Sequence, residues 1–185
     1  MADTTQSPIS IRGLSKRFGK LTAVKELNLE VNEGEILGFL GLNGAGKTTT
    51  IRVLLDLLRP PSGRASIFGH DCQTDGLRAR ELTGYLPGEF GVFSDLTGRE
   101  TLDFLAGLIG QKPAKNYRHE LQERLEFPDT DLRRKLREYS TGMKRKLGLL
   151  QALQADPPLL ILDEPTEGLH PLMQESFYQF LGGLR

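Results

Sequence analysis

The sequence predicts an α/β fold with a parallel sheet at its centre, and three observations lead there. Residues 35–42, "EILGFLGL", form a nearly continuous apolar run, the pattern of a strand covered on both faces. A second such run, Leu159 to Leu162, ends in Asp163 and Glu164. Between them, residues 95–155 carry apolar positions at helical spacing. Buried strands separated by helices are joined by crossovers, which is how parallel sheets are built.

Composition narrows the class. The 185 residues suit one domain with room for an inserted lobe. Lys plus Arg equal Asp plus Glu at 24 each, so the excess positive charge of a nucleic-acid surface is missing and no nucleic acid is expected as partner. Cys72 is the single cysteine, which excludes an internal disulfide framework and a cysteine-rich zinc site and fits a reducing cytoplasm. The N-terminus, "MADTTQSPISIRG", has no basic segment followed by an apolar stretch, so no secretory signal is read there. No apolar stretch approaches the roughly 20 residues of a membrane-spanning helix.

The first run leads into glycines and then a helix. Ile51, Leu54, Leu55 and Leu58 recur at helical spacing, and Pro60 and Pro61 are expected to stop the helix. Between strand and helix, Gly41, Gly46, Lys47 and Thr48 fit the pattern G-x-x-x-x-G-K-[ST], with Leu42, Asn43 and Ala45 inside the loop and Gly44 as an extra glycine. Glycines let several N–H groups point into one cavity, and the helix that follows adds the positive end of its dipole. The result is a nest for phosphates. Lys47 would place a point charge between β- and γ-phosphates, and the Thr48 hydroxyl would hold Mg²⁺. Thr49 and Thr50 either cap or pack.

The second run ends in two acids at the C-terminal end of a buried strand, where α/β sheets bind ligands. Asp163 has the chemistry to hold Mg²⁺ with Thr48, directly or through water, and Glu164 is then free to polarise a water for in-line attack on a γ-phosphate. Asp163 as a turn cap and Glu164 as a solvated acid is the structural alternative.

Three helices are expected between the two sites. Thr97 and Glu100 form a capping box ahead of Leu102, Leu105, Leu108 and Ile109. Tyr117, Leu121 and Leu125 are spaced four apart, and Ser140 is a plausible N-cap for a helix carrying Met143, Leu147, Leu150 and Leu153.

With these segments in hand, "YSTGMKRKL" resembles the signature motif of ABC-type ATPases, especially its L-S-x-G-M-K variants, and lies shortly before "LLILDEPT" as it does in that family. The resemblance runs from about Ile9 to the last residue, and the wording of "TGYLPGEFGVFSDLTGRETL" and "STGMKRKL" is most similar to ATP-binding subunits of bacterial drug and antibiotic exporters. It implies a P-loop NTPase fold with a parallel core, an antiparallel β layer from residues near Ile9 to Val31 and Arg64 to Phe68, and an inserted helical lobe. The core would take about residues 9–88 and 156–185, and the lobe about 89–155. It implies that two such domains close head to tail around two ATP molecules, with Ser140, Gly142 and Met143 of one facing the γ-phosphate held by the other. Ser140 can serve as N-cap in the same geometry. Phe18 falls where the family stacks an aromatic ring on adenine, although a lone Phe read by itself is more often core.

The implied function is Mg²⁺-dependent ATP hydrolysis by a homodimer docked on permease subunits, peripheral on the inner face of the cell membrane, driving export. Departures from the family pattern support a second reading, an ATP-binding regulatory or degenerate subunit: Gly88 stands where Gln is usual, Glu167 where Ser is usual, and His170 where Asp is usual. A third reading, a soluble ABC protein of DNA repair or translation, lacks the expected coiled coil, second nucleotide domain or basic surface. The chain ends at Arg185, before the strand and switch histidine that the family places next, so it is expected to be a C-terminally truncated part of a longer protein.

Overall fold

The structure is a computed structural model and describes residues 6–89, 93–108, 115–167, 169 and 171–183. It divides into two compact units, Met1–Thr83 and Gly84–Arg185.

The first unit is built on an antiparallel sheet. Strands β1 (Ile9–Phe18) and β2 (Leu21–Val31) form a hairpin closed by Gly19 and Lys20, with Ile9 opposite Val31 at one end, Phe18 opposite Leu21 at the other, and register shifts between them. Gly19 has φ +57°, the left-handed conformation that tight hairpin turns require. Strand β3 (Ser62–Ile67) pairs with the other edge of β1, and β4 (His70–Asp71) follows, giving the order β2-β1-β3-β4. Ile9 and Ile11 alternate with less buried neighbours, as do Ala65 and Ile67, and Leu14 is buried one position out of phase, past the register shift that follows Ile11. This is the antiparallel layer expected near Ile9–Val31 and Arg64–Phe68.

Helix α1 (Lys47–Leu54) follows the glycine-rich loop and buries Thr50, Ile51, Val53 and Leu54. It ends before Pro60 and Pro61, contrary to the expectation that the prolines stop it. The cause lies two residues past its end: Asp56 has φ +54°, and the N–H groups of Leu57 and Leu58 both turn back to the Arg52 carbonyl. Arg80 fixes this exit, donating from Nη1 to the Leu55 carbonyl at 3.1 Å and lying 3.8 Å from the Asp56 carboxylate. Arg80 belongs to α2 (Gly76–Glu81).

The predicted strand at residues 35–42 is not a strand. The segment is irregular and open, with Ile36 at 56%, Leu40 at 92% and Leu42 at 86% exposure. A parallel strand has no hairpin neighbour and takes its ladder from distant segments. Among the described residues, no strand of its own unit pairs with it.

β5 (Thr83–Leu86), whose residues from Gly84 on belong to the second unit, and β6 (Leu159–Leu162) make a short parallel pair. Helices α3 (Gly98–Leu108), α4 (Lys115–Arg124), α5 (Asp129–Leu132) and α6 (Thr141–Leu153) lie between these strands in sequence, and α7 (Pro171–Gly182) follows β6. Leu86, Leu102, Leu121, Leu125, Leu147 and Leu150 share one apolar core with Phe127 and Tyr139. The periodicity of α4 and α6 is met, whereas on α3 Leu102 is buried and Leu108 is exposed; Ile109 lies outside the described residues. The capping box forms in both directions: the Thr97 N–H donates to Glu100 Oε2 at 2.8 Å, and the Glu100 N–H donates to Thr97 Oγ1 at 3.2 Å. The Thr97 N–H and hydroxyl hold the Glu100 carboxyl below the usual carboxylate range.

Candidate functional site

The first unit carries the glycine-rich loop. Gly44 and Gly46 take φ +85° and +89°, and the Ala45 N–H closes a turn onto the Leu42 carbonyl at 3.0 Å. Gly46 has no room for a side chain, because a Cβ there would lie 2.3 Å from the Ala23 carbonyl oxygen and 3.0 Å from Val24 Cγ2 on β2. The last loop glycine is therefore required twice, by its conformation and by its contact with β2. The N-cap of α1 is Gly46, which has no side chain to bond the first N–H groups of the helix.

Lys47 turns back over the loop. Its ammonium donates to the Gly41 carbonyl at 2.6 Å and the Leu42 carbonyl at 3.2 Å. Leu42, Asn43, Gly44 and Ala45 are exposed, and Thr48 and Thr49 are half-buried on the first turn of α1. The open choice for Thr50 resolves as packing with a backbone bond: it is buried, and its hydroxyl donates to the Gly46 carbonyl at 2.9 Å. Phe18 ends β1 with 46% of its surface exposed, so it is not a core residue.

The second unit carries the acidic pair and the signature segment. Asp163 is buried, and its N–H extends the β5–β6 ladder by donating to the Leu86 carbonyl at 2.9 Å. Glu164 follows it, exposed, with φ +49°. A non-glycine residue in that region is strained by roughly 1–3 kcal/mol, and such strain concentrates at functional sites. Gly88 lies beside this strand end: a Cβ there would sit 3.7 Å from the Asp163 carbonyl oxygen and 3.9 Å from Oδ2.

Ser140 caps α6, its Oγ accepting from the Met143 N–H at 3.3 Å. Ser140 is exposed, while Gly142 and Met143 are half-buried on the first turn. One turn on, Arg145 is buried, donates to the Pro87 carbonyl at 3.1 Å, and lies 4.0 Å from the Glu167 carboxylate. The signature helix, the segment before Gly88 and the turn after Glu164 are thus tied by one guanidinium. Sequence reading missed this tie, since nothing in "GMKRKL" marks its second cation as the buried one. His170 and residues 90–92 of the segment before α3 lie outside the described residues.

The structure brings Phe18 and Gly41 to Thr49 into one unit, and Ser140, Gly142, Met143, Asp163 and Glu164 into the other. Among the described residues, no cluster of three or more His, Cys, Asp or Glu could hold a metal by itself. A hydroxyl at Thr48 and a carboxylate at Asp163 are oxygen donors of the kind a hard divalent cation takes.

Comparison with known proteins places the chain. The family profile described as "ABC transporter" matches residues 24–167, and the chain belongs to that family. It is 42% identical over 173 residues to a daunorubicin resistance ATP-binding protein of Streptomyces coeruleorubidus, covering 92% of this chain and 54% of the relative. It is 41% identical over 164 residues to a bacitracin transport ATP-binding protein of Bacillus licheniformis, covering 89% and 53%. The chain thus spans about half the length of these curated relatives. Among solved structures, an ATP-binding subunit of an ABC transporter superposes with a TM-score of 0.83 at 27% identity, covering 96% of this chain and 75% of that one. The fold is that of the P-loop ATPase cassettes, as the resemblance implied.

Proposed function

We propose that this chain is the ATP-binding part of an ABC exporter subunit that hydrolyses Mg²⁺-ATP to drive transport through a membrane permease. The observation that carries the reading is the loop Gly41–Thr48, with Gly46 left-handed against β2 and an uncapped α1 behind it. The names of the relatives, one of drug resistance and one of bacitracin transport, support export.

In this reading Phe18 stacks on adenine, the N–H groups of Leu42 to Thr49 wrap the phosphates, and Lys47 leaves the Gly41 and Leu42 carbonyls for β- and γ-phosphate oxygens. Thr48 and Asp163 would each supply an oxygen ligand to Mg²⁺, which when bound would neutralise charge at the phosphates. Glu164 orients and polarises the attacking water. Ser140, Gly142 and Met143 present the N-terminus of α6 to the γ-phosphate bound by a second copy, so the working unit is a homodimer. Core residues 9–88 and 156–185 with a lobe at about 89–155 remain the proposed domain plan. Among the described residues no helix is long and apolar enough to cross a membrane, and the chain is proposed to act at the inner face of the membrane through its permease.

A regulatory or degenerate subunit is the second reading, favoured by Glu167 beside Arg145 and by Gly88 beside Asp163. Equilibrium titration of Mg²⁺-ATP into wild type and Lys47→Ala tests the main proposal: Lys47→Ala should weaken binding at least about tenfold. Equal affinities would remove the phosphate-loop assignment. Tight binding with no turnover by the wild type would favour the second reading.

A further inference from the structure

Phe18 stands at the tip of the β1–β2 hairpin, exposed and opposite Leu21. Lys16, two residues earlier, reaches it: Nζ lies over the ring, 5.3 Å from its centroid. The same ammonium donates to the Arg59 carbonyl at 2.6 Å, in the segment that leaves α1. Across the sheet Lys16 pairs with Val24, and Val24 is the residue whose Cγ2 closes on Gly46. Lys16 therefore joins the exposed ring to the exit of α1 through its half-buried ammonium, while its backbone pairs with the strand behind the phosphate loop.

We propose that Lys16 is a positioning residue for the base end of the bound nucleotide, bracing Phe18 from one face and tying it to the Arg59 carbonyl. The inference rests on the reading of Phe18 and the phosphate loop given above. An exposed aromatic at a hairpin tip samples several rotamers, and ordering it on binding reduces affinity. Lys16 removes part of that cost beforehand. A cation over one face is held by the ring's quadrupole, and it leaves the opposite face poorer in electrons and better suited to an electron-rich purine. The bond to Arg59 keeps the ammonium from following solvent away from the ring.

Titration separates this role from a general attraction for phosphate. ATP and inorganic tripolyphosphate, each with Mg²⁺, are bound to wild type, Lys16→Met and Lys16→Arg, with thermal melting as the fold control. Lys16→Met should weaken ATP about fivefold while tripolyphosphate changes less than about twofold. Lys16→Arg, which keeps a cation and a donor, should restore ATP binding to within about twofold. In a Phe18→Leu background, Lys16→Met should cost nothing further, because Lys16 acts through the ring. Lys16→Gln, neutral but still a donor, replaces Lys16→Met if that variant does not fold.

Unchanged ATP affinity, equal losses for both ligands, or a full additional loss in the Phe18→Leu background would each overturn the inference. Failure of the wild type to bind either ligand would instead remove the phosphate-loop reading, and this inference with it.

Discussion

Residues 35–42 and Leu159–Leu162 are two apolar runs, one leading into the glycine-rich loop and the other into the acidic pair, and the structure treats them differently. Leu159–Leu162 is strand β6, paired with β5, and the core of the second unit packs against Leu160 and Leu162. Residues 35–42 have no ladder and an open surface. The difference is one of partners rather than of composition. An apolar run becomes a strand where neighbouring backbone groups complete its hydrogen bonds. The loop after residues 35–42 keeps its geometry by other means, through Gly46 against β2 and the backbone bonds of α1.

That contrast predicts unequal sensitivity. Leu147→Ala, in the core of the second unit, should destabilise by about 2–5 kcal/mol in urea unfolding. Leu40→Ser should stay within about 0.5 kcal/mol, as exposed positions do. A large loss at Leu40 would show that the run is buried in solution and that the contrast is false.

Gly46→Ala should come next in effect. A Cβ against the Ala23 carbonyl in a left-handed backbone strains the loop by about 1–3 kcal/mol, and in free energy it should weaken Mg²⁺-ATP binding more than it destabilises the fold in urea unfolding. Gly44→Ala, where a Cβ meets nothing, carries only the conformational part. Equal effects at the two glycines would contradict the contact with β2.

In the second unit Ser140→Ala removes the cap of α6 and should cost about 1 kcal/mol, with Ser140→Thr recovering most of it. The neighbouring residue gives a pH signature. Burial pushes the Tyr139 phenol up to about 12, and its hydroxyl donates to the Asp131 carbonyl at 2.7 Å. A raised acid favours the folded state while protonated, so this stability is complete below pH about 10 and is lost as pH rises towards about 12. Tyr139→Phe should flatten that alkaline loss.

The smallest expected effect belongs to the first unit. The Thr74 N–H, followed by the Gln73 N–H, lowers the Asp71 carboxyl below its ordinary value. A lowered acid stabilises the folded state above pH about 4 and loses that contribution as pH falls through the folded value, so Asp71→Asn should reduce the acid sensitivity of unfolding.

Much of this was legible from local chemistry. The capping box at Thr97 and Glu100 and the spacing in α4 and α6 each depend on residues close in sequence, whereas the antiparallel layer was read from the family resemblance. What escaped depends on partners far along the chain. The exposure of residues 35–42, the early end of α1 held by Arg80, the Lys16 contact with Arg59 and the burial of Arg145 between Pro87 and Glu167 are all of that kind. Glu164 lies between the two cases. Its position after a buried strand could be read from the sequence, but its left-handed backbone could not.

Comparing Mg²⁺-ATP binding and turnover in the wild type and Glu164→Gln decides the proposed role of the acidic junction. Glu164→Gln should bind within about threefold of wild type and lose turnover by about a hundredfold or more, since a carboxamide cannot polarise the attacking water. Wild-type turnover by Glu164→Gln would contradict the assignment of the acidic junction as the catalytic end of the site.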